Sequence, residues 1–371
     1  MPDFYHNIFK NYTWEDISTT IYDINIPTIE ATLSNSQNLS WHRALALLSP
    51  KATTYLEQMS AMSSQLTRQR FGQTIQLFTP LYLSNECQNI CTYCGFSYTN
   101  KLPRKTLSDT DLIQESECLK KMGFEHILLV TGEHKQWVGV DYLANALQIL
   151  KTYFINLSIE VQPLETEDYQ KLQHLGVYAV VVYQETYRES TYKKYHPKGN
   201  KSNFIHRLNT PDRAGKASMH KVGIGALLGL EDWRVEAAYI MMHLEYLRKR
   251  YWKTRFSVSF PRLRPSEGDF EVKNPVSDIE LLQMITALRV FDPNVELVLS
   301  TREPSTLRDN FMHLGITTMS AGAKTNPGGY EVSKTSLEQF SIEDTRSASE
   351  VALAIRNKGL QPIWKDWDEF Y

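Results

Sequence analysis

A chain of 371 residues has room for one large barrel or two ordinary domains and can bury a sizeable core. Its 40 Lys and Arg against 42 Asp and Glu leave a net charge of −2, which supplies no electrostatic reason to expect a nucleic-acid or membrane partner. No apolar run is long enough to span a bilayer, and the start MPDFYHNIFKNYTWEDI has no basic region followed by an apolar core, so the expectation is a cytoplasmic protein.

Residues 1–72 read as helical and partly amphipathic. Beyond them, short β-rich runs alternate with helical stretches. Eight strands are predicted, at 75–83, 126–131, 157–161, 177–183, 222–227, 255–260, 295–300 and 316–321. Several are nearly unbroken apolar runs, such as ILLV and YAVVVY, the pattern of strands buried on both faces of a parallel sheet. Met122-Gly123 and Leu175-Gly176 read as helix stops just before strands, and Ser108 and Ser277 as N-caps. Eight successive βα units predict a (β/α)8 TIM-type barrel over 73–325, with an N-terminal helical extension over 1–72. A C-terminal helix and tail, 326–371, are expected to pack on the barrel. An open doubly wound sheet is the alternative.

A barrel of this kind places function where its strands end. Polar segments do follow seven of the eight predicted strands. They are the cysteine-bearing loop at 85–96, TGE at 131–133, EVQP at 160–163, YQETYR at 183–188, SFPRLRP at 259–265, STRE at 300–303 and SAGAK at 320–324.

The first of these, NECQNICTYCGF, holds Cys87, Cys91 and Cys94 in the spacing C-x3-C-x2-C, three of the four cysteines in the chain. A structural zinc takes four ligands, and the nearest downstream histidines, His126 and His134, are far along the chain. A disulfide would leave an odd thiol in a reducing compartment. A four-iron cluster held by three thiolates instead leaves one iron open to an outside ligand. Gly95 lets the backbone fold tightly behind such a centre. Cys118 lies in a helical stretch and reads as a bystander thiol. A cluster-bearing electron carrier would want four cysteines and no large barrel, and a zinc-stabilised hydrolase is separated by metal content: iron and sulfide against zinc.

The spacing, with Tyr93 just before the last cysteine, resembles the radical S-adenosylmethionine superfamily. Further segments carry the resemblance over nearly the whole chain, among them MGFEHILLVTGEH, VQPLETEDY, VVYQETYRESTY, VGIGALLGLEDWR, NPGGY and LQPIWKDWDEFY. Together they are similar to the tyrosine lyases of thiamine thiazole synthesis within that superfamily. The resemblance implies a [4Fe-4S] cluster on Cys87, Cys91 and Cys94, with S-adenosylmethionine chelating the open iron. It implies an external one-electron reductant of the flavodoxin or ferredoxin type, and a 5′-deoxyadenosyl radical that takes hydrogen from substrate. The substrate implied is L-tyrosine, cut at Cα–Cβ into 2-iminoacetate (dehydroglycine) and p-cresol, with thiazole synthase as protein partner. The tyrosine-cleaving hydrogenase maturases carry a C-terminal extension with further cysteines, whereas no cysteine follows Cys118 here. Tryptophan-cleaving and deazaflavin-forming relatives share the core motifs. IWKDWD and LSPKATTYLEQM favour the thiamine branch.

The same resemblance suggests roles at other strand ends. Gly132 and Glu133 would hold the amino group of the cofactor's methionine part, through close backbone approach and a carboxylate. Glu160 and Gln162 end the third strand and, being two apart, share one face of it; either could bond ribose, and Gln162 is nearer the mouth and is preferred. Arg188 has two readings, a partner for the cofactor carboxylate or a cap on the following helix. Arg302 would clamp the substrate carboxylate through two parallel hydrogen bonds, with Ser320 on the neighbouring strand donating a third; the competing reading pairs Arg302 with Glu303. Arg262 and Arg264 are the next candidates for that carboxylate.

Overall fold

The computed structural model describes residues 3–264, 270–333 and 338–365. Pro265 of the SFPRLRP segment and the tail from 366 onward lie outside the described residues.

Strands buried on both faces need cover on both sides, and the chain supplies it by closing the sheet on itself. The strands are β1 (Thr74–Ser84), β2 (His126–Thr131), β3 (Asn156–Glu160), β4 (Val177–Val181), β5 (Lys221–Gly225), β6 (Arg255–Ser259), β7 (Glu296–Leu299) and β8 (Thr318–Ser320). All pair in parallel in sequence order, and β1 pairs with both β2 and β8, which closes an eight-stranded barrel. The open-sheet alternative is thereby excluded. The expected helix signals act as anticipated: Ser108 with Asp111 and Ser277 with Glu280 form reciprocal capping boxes.

The strand at the seam is the longest. β1 runs 11 residues. Its first half pairs with β8 (Gln76 opposite Thr318) and its second half with β2 (Thr79 opposite Ile127). A ninth strand, β9 (Gln361–Ile363), joins the foot of β1, where Gln76 also faces Ile363. β9 has only three residues, one of them Pro362, so no alternation announces it.

The N-terminal helices wrap one flank. Helix Leu56–Phe71 packs on Asp278–Phe291, and Trp41–Leu48 packs on Trp233–Arg250. Covered by the barrel on one side and by these helices on the other, Trp233–Arg250 is buried nearly all round from Trp233 to Leu247. Phe4 stacks on its His243 with ring centres 3.9 Å apart.

Candidate active site

The cysteine loop leaves β1 at the mouth of the barrel and is held by its neighbours' backbones. Gln88 N donates to Glu133 O (2.9 Å), Ile90 N to Lys198 O (2.9 Å) and Thr92 N to Tyr195 O (3.0 Å). Arg104 braces it from outside, its guanidinium donating to the carbonyls of Asn85, Phe96, Ser97 and Asn100. Two glycines permit the fit. A Cβ on Gly132 would lie 2.2 Å from Glu86 O and 3.1 Å from Cys87 Cβ, and one on Gly95 would lie 2.6 Å from Gln339 O.

Cys91 is buried, Cys87 and Cys94 are half-buried, and all three are free thiols. Burial pushes the Cys87 and Cys91 thiols up; Cys94 raises both further, and at Cys91 the Lys201 ammonium opposes the rise. A bare thiolate is therefore costly here, and a cationic metal partner relieves that cost. Among the described residues no three His, Cys, Asp or Glu side chains converge tightly enough for a single metal ion. A loop whose three soft donors are near one another without meeting at a point fits a polynuclear iron–sulfur centre.

Beside the cysteines is a buried network of four charges. Arg207 bonds Glu133 (2.9 Å) and reaches Glu185 (3.4 Å), and Lys201 bonds Glu185 (2.7 Å). Asn89 Nδ2 donates to the second oxygen of Glu133 (2.7 Å), and Arg207 Nε donates to Tyr183 O (2.7 Å). Glu185 holds a φ of 72°, a left-handed backbone that non-glycine residues adopt at a cost. Although burial opposes ionisation of Glu185, Lys201 and Arg207 hold its carboxyl below the usual range. Tyr93 closes the wall, its hydroxyl 2.7 Å from His196 Nε2 and its ring beneath the Lys201 ammonium.

The barrel's own cavity lies next to this network and is sparsely charged. Apolar side chains including Phe78, Leu128, Val130 and Phe260 line it, with Tyr82, Glu160, Tyr183, Arg302 and Ser320 among the polar groups. The Arg302 guanidinium sits 3.4 Å over the Phe340 ring and makes no ion pair with any described carboxylate. Burial lowers its pKa, opposed by the nearby Tyr82 and Glu160. Ser320 Oγ accepts from Thr301 N (3.0 Å), which leaves its proton to give. Burial pushes the Glu160 carboxyl up to about 7, and Glu185 adds to the rise against Arg302, Lys201 and Arg207.

The expected residues divide on this geometry. Gly132 and Glu133 abut the cysteine loop, and Tyr93 is in its wall. Arg302 and Ser320 share the cavity. Glu303 is paired with Arg262 and Arg264, not with Arg302, so the competing reading fails and both alternative arginines are occupied. Glu160 and Gln162 do not share a face: β3 ends at Glu160, alternation stops there, and Gln162 lines a lateral groove with Glu133 and Asn203, its amide donating to Val138 O (3.3 Å). Arg188 is not brought to the cysteines. Its guanidinium pairs with Glu231 (2.9 Å) and Glu15 (3.2 Å) over the Trp14 ring, and although it stands at the N-cap of helix Glu189–Tyr195 it forms no side-chain cap. The cations nearest Glu133 and Glu185 are Arg207 and Lys201, which sequence reading missed because neither stands at a strand end. Glu185 lies inside YQETYR, at the end of the predicted fourth strand.

Comparison with known proteins agrees with this architecture. Residues 81–241 match the radical SAM superfamily and residues 259–361 the Biotin and Thiamin Synthesis associated domain. The 2-iminoacetate synthase of Escherichia coli (strain K12) is 48% identical over 363 residues, 98% of this chain and 96% of that protein. The FeFe-hydrogenase maturase HydG from Carboxydothermus hydrogenoformans superposes with a TM-score of 0.84 at 31% identity, covering 98% of this chain and 83% of that one. A second HydG structure gives a TM-score of 0.86 at 28% identity, covering 96% and 78%.

Proposed function

Because the chain belongs to the 2-iminoacetate synthase family of radical SAM enzymes, we infer that it cleaves L-tyrosine between Cα and Cβ to 2-iminoacetate and p-cresol, and we propose how its mouth divides that work. Cys87, Cys91 and Cys94 would hold three irons of the cluster, the fourth being left for S-adenosylmethionine. When bound, the pair supplies an electron and a 5′-deoxyadenosyl radical, with methionine and 5′-deoxyadenosine as coproducts. Gly132 and Glu133, pressed against Cys87, would receive the cofactor's amino group. Arg207 and Lys201 are the cations available to its carboxylate, in the role first given to Arg188. Gln162, Glu185 and Tyr93 remain for its nucleoside part.

For the substrate, Arg302 would take the tyrosine carboxylate through two parallel hydrogen bonds and Ser320 would donate to it. Glu160, in the same cavity, would accept from the amino group. Pinned at that end, tyrosine has one bond placed for scission, and misplacement by about an ångström costs on the order of a hundredfold in rate. The observation that carries this reading is the Arg302 guanidinium, half-buried beside Ser320 with no described carboxylate against it.

An external one-electron donor of the flavodoxin or ferredoxin type would reduce the cluster, and thiazole synthase would take the hydrolysable 2-iminoacetate. Both stand on the resemblance, as does a cytoplasmic location. Among the described residues no helix is long and apolar enough to cross a membrane. The deciding assay is anaerobic: reconstituted protein, S-adenosylmethionine, a reductant and a panel of aromatic amino acids, read by mass spectrometry. Tyrosine should yield p-cresol and 5′-deoxyadenosine. Cleavage of tryptophan but not tyrosine would overturn the substrate assignment. Association with thiazole synthase is checked by anaerobic gel filtration and cross-linking; no complex by either would mean transfer through solution.

A further inference from the structure

One side chain joins the cysteine loop to the substrate cavity, and it comes from neither the loop nor a barrel strand. Gln339 Nε2 is 3.6 Å from Cys94 Sγ, and Gln339 Oε1 accepts from the Tyr82 hydroxyl at 2.7 Å. Its backbone is keyed to the same place: Gly95 N donates to Gln339 O (3.2 Å), and Gln339 N donates to Thr325 O (2.9 Å). The approach needs a glycine at 95, since a Cβ there would stand 2.6 Å from the Gln339 carbonyl oxygen. The residue also lines the cavity, and its neighbour Phe340 carries the Arg302 guanidinium.

The chemistry of the two ends decides which way the amide faces. A thiolate bound to iron only accepts hydrogen bonds, so the NH2 end must be the one that meets it. The carbonyl end then needs a donor, and the Tyr82 hydroxyl is one. We propose that Gln339 is a positioning residue for the cluster: its amide donates an N–H···S hydrogen bond to Cys94, is held in that orientation by Tyr82, and so raises the reduction potential. Hydrogen bonds to the ligating sulfurs are among the levers that set cluster potentials. A donor stabilises the reduced state more than the oxidised one, because reduction places more negative charge on sulfur.

The proposal rests on Cys94 being a cluster ligand, as set out above. Its test is an EPR-monitored potentiometric titration of reconstituted wild-type, Gln339→Ala, Gln339→Glu and Tyr82→Phe proteins, with iron and sulfide content measured on each. All four should hold about four irons per chain. Gln339→Ala should shift the midpoint negative by about tenfold in the reduction equilibrium, which is about 59 mV for one electron. Gln339→Glu, whose carboxylate accepts and does not donate, should shift it further. Tyr82→Phe, which leaves the amide untied, should shift it less and in the same direction. A midpoint unchanged or moved positive in Gln339→Ala at full iron content overturns the proposal and leaves the cluster assignment standing. If Gln339→Ala loses iron, the isosteric Gln339→Glu and Tyr82→Phe, which leaves Gln339 in place, carry the same comparison. A wild-type chain that binds no cluster overturns both readings.

Discussion

The charges around the cysteine loop and those in the barrel cavity lie side by side and are satisfied in opposite ways. Glu133, Arg207, Glu185 and Lys201 pair with one another at 2.7 to 3.4 Å and cancel in net charge. Arg302 and Glu160 stand in the neighbouring cavity with no ion pair to any described partner. A buried ion pair that keeps its hydrogen bonds is a tolerable structure, whereas a buried charge without one is a standing cost. The first group is a finished framework against which a ligand can be laid. The second becomes satisfied only when a ligand of opposite polarity enters, and an amino acid carries both polarities on one carbon.

The largest effect is expected at the cysteine loop that this framework flanks. Cys91→Ala should abolish cluster binding and tyrosine cleavage, and Cys118→Ala should retain about four irons per chain by iron analysis. Full cluster retention in Cys91→Ala would sink the assignment. Next comes the contrast in stability. Arg207→Met strands Glu133, which then keeps only its hydrogen bond from Asn89 while Glu185 keeps Lys201, and should cost about 3–5 kcal/mol in urea unfolding of the apoprotein. Arg302→Met removes an unpaired charge and should be neutral or stabilising; equal losses in the two variants would mean that the two groups of charges are satisfied alike.

A smaller effect is catalytic. Arg302→Lys should keep the cluster and still cleave S-adenosylmethionine slowly, while p-cresol falls about thirty- to a hundredfold, roughly 2–3 kcal/mol for a lost bidentate contact. Wild-type p-cresol rates at an unchanged tyrosine KM would mean the carboxylate is held elsewhere. The smallest effect is in pH. The Glu160 carboxyl is raised to about 7, so below that pH it is protonated and cannot receive the substrate's ammonium. Tyrosine KM should therefore fall as pH rises through about 7, and the inflection should vanish in Glu160→Gln. An inflection surviving in that variant would assign it to another group.

What was legible in the sequence followed local rules. Apolar runs such as ILLV exist because both faces of those strands are covered, so all eight barrel strands could be placed. Arg302 and Ser320 follow from adjacent strand ends, since β7 and β8 are neighbours. What was not legible depended on distance. Arg207 sits in helix Phe204–Leu208, well beyond the end of β4, so a rule about strand ends passes over it. Gln339 meets Cys94 across 245 positions, with nothing in its own segment to mark it. The Glu160 and Gln162 pairing failed on a boundary: one strand residue fewer turns the second side chain out of the alternation.

The seam at β1 has a consequence for how the molecule is made. β1 is an early strand, yet it finds β8 and β9 only at Thr318 and Gln361, and the cysteine loop meets Gln339 only through that closure. A ribosome extending the chain at about 5–20 residues per second needs on the order of ten to fifty seconds to travel from Cys94 to Gln339. Through that interval the nascent chain carries three thiols, one of which, Cys94, still lacks its neighbour Gln339.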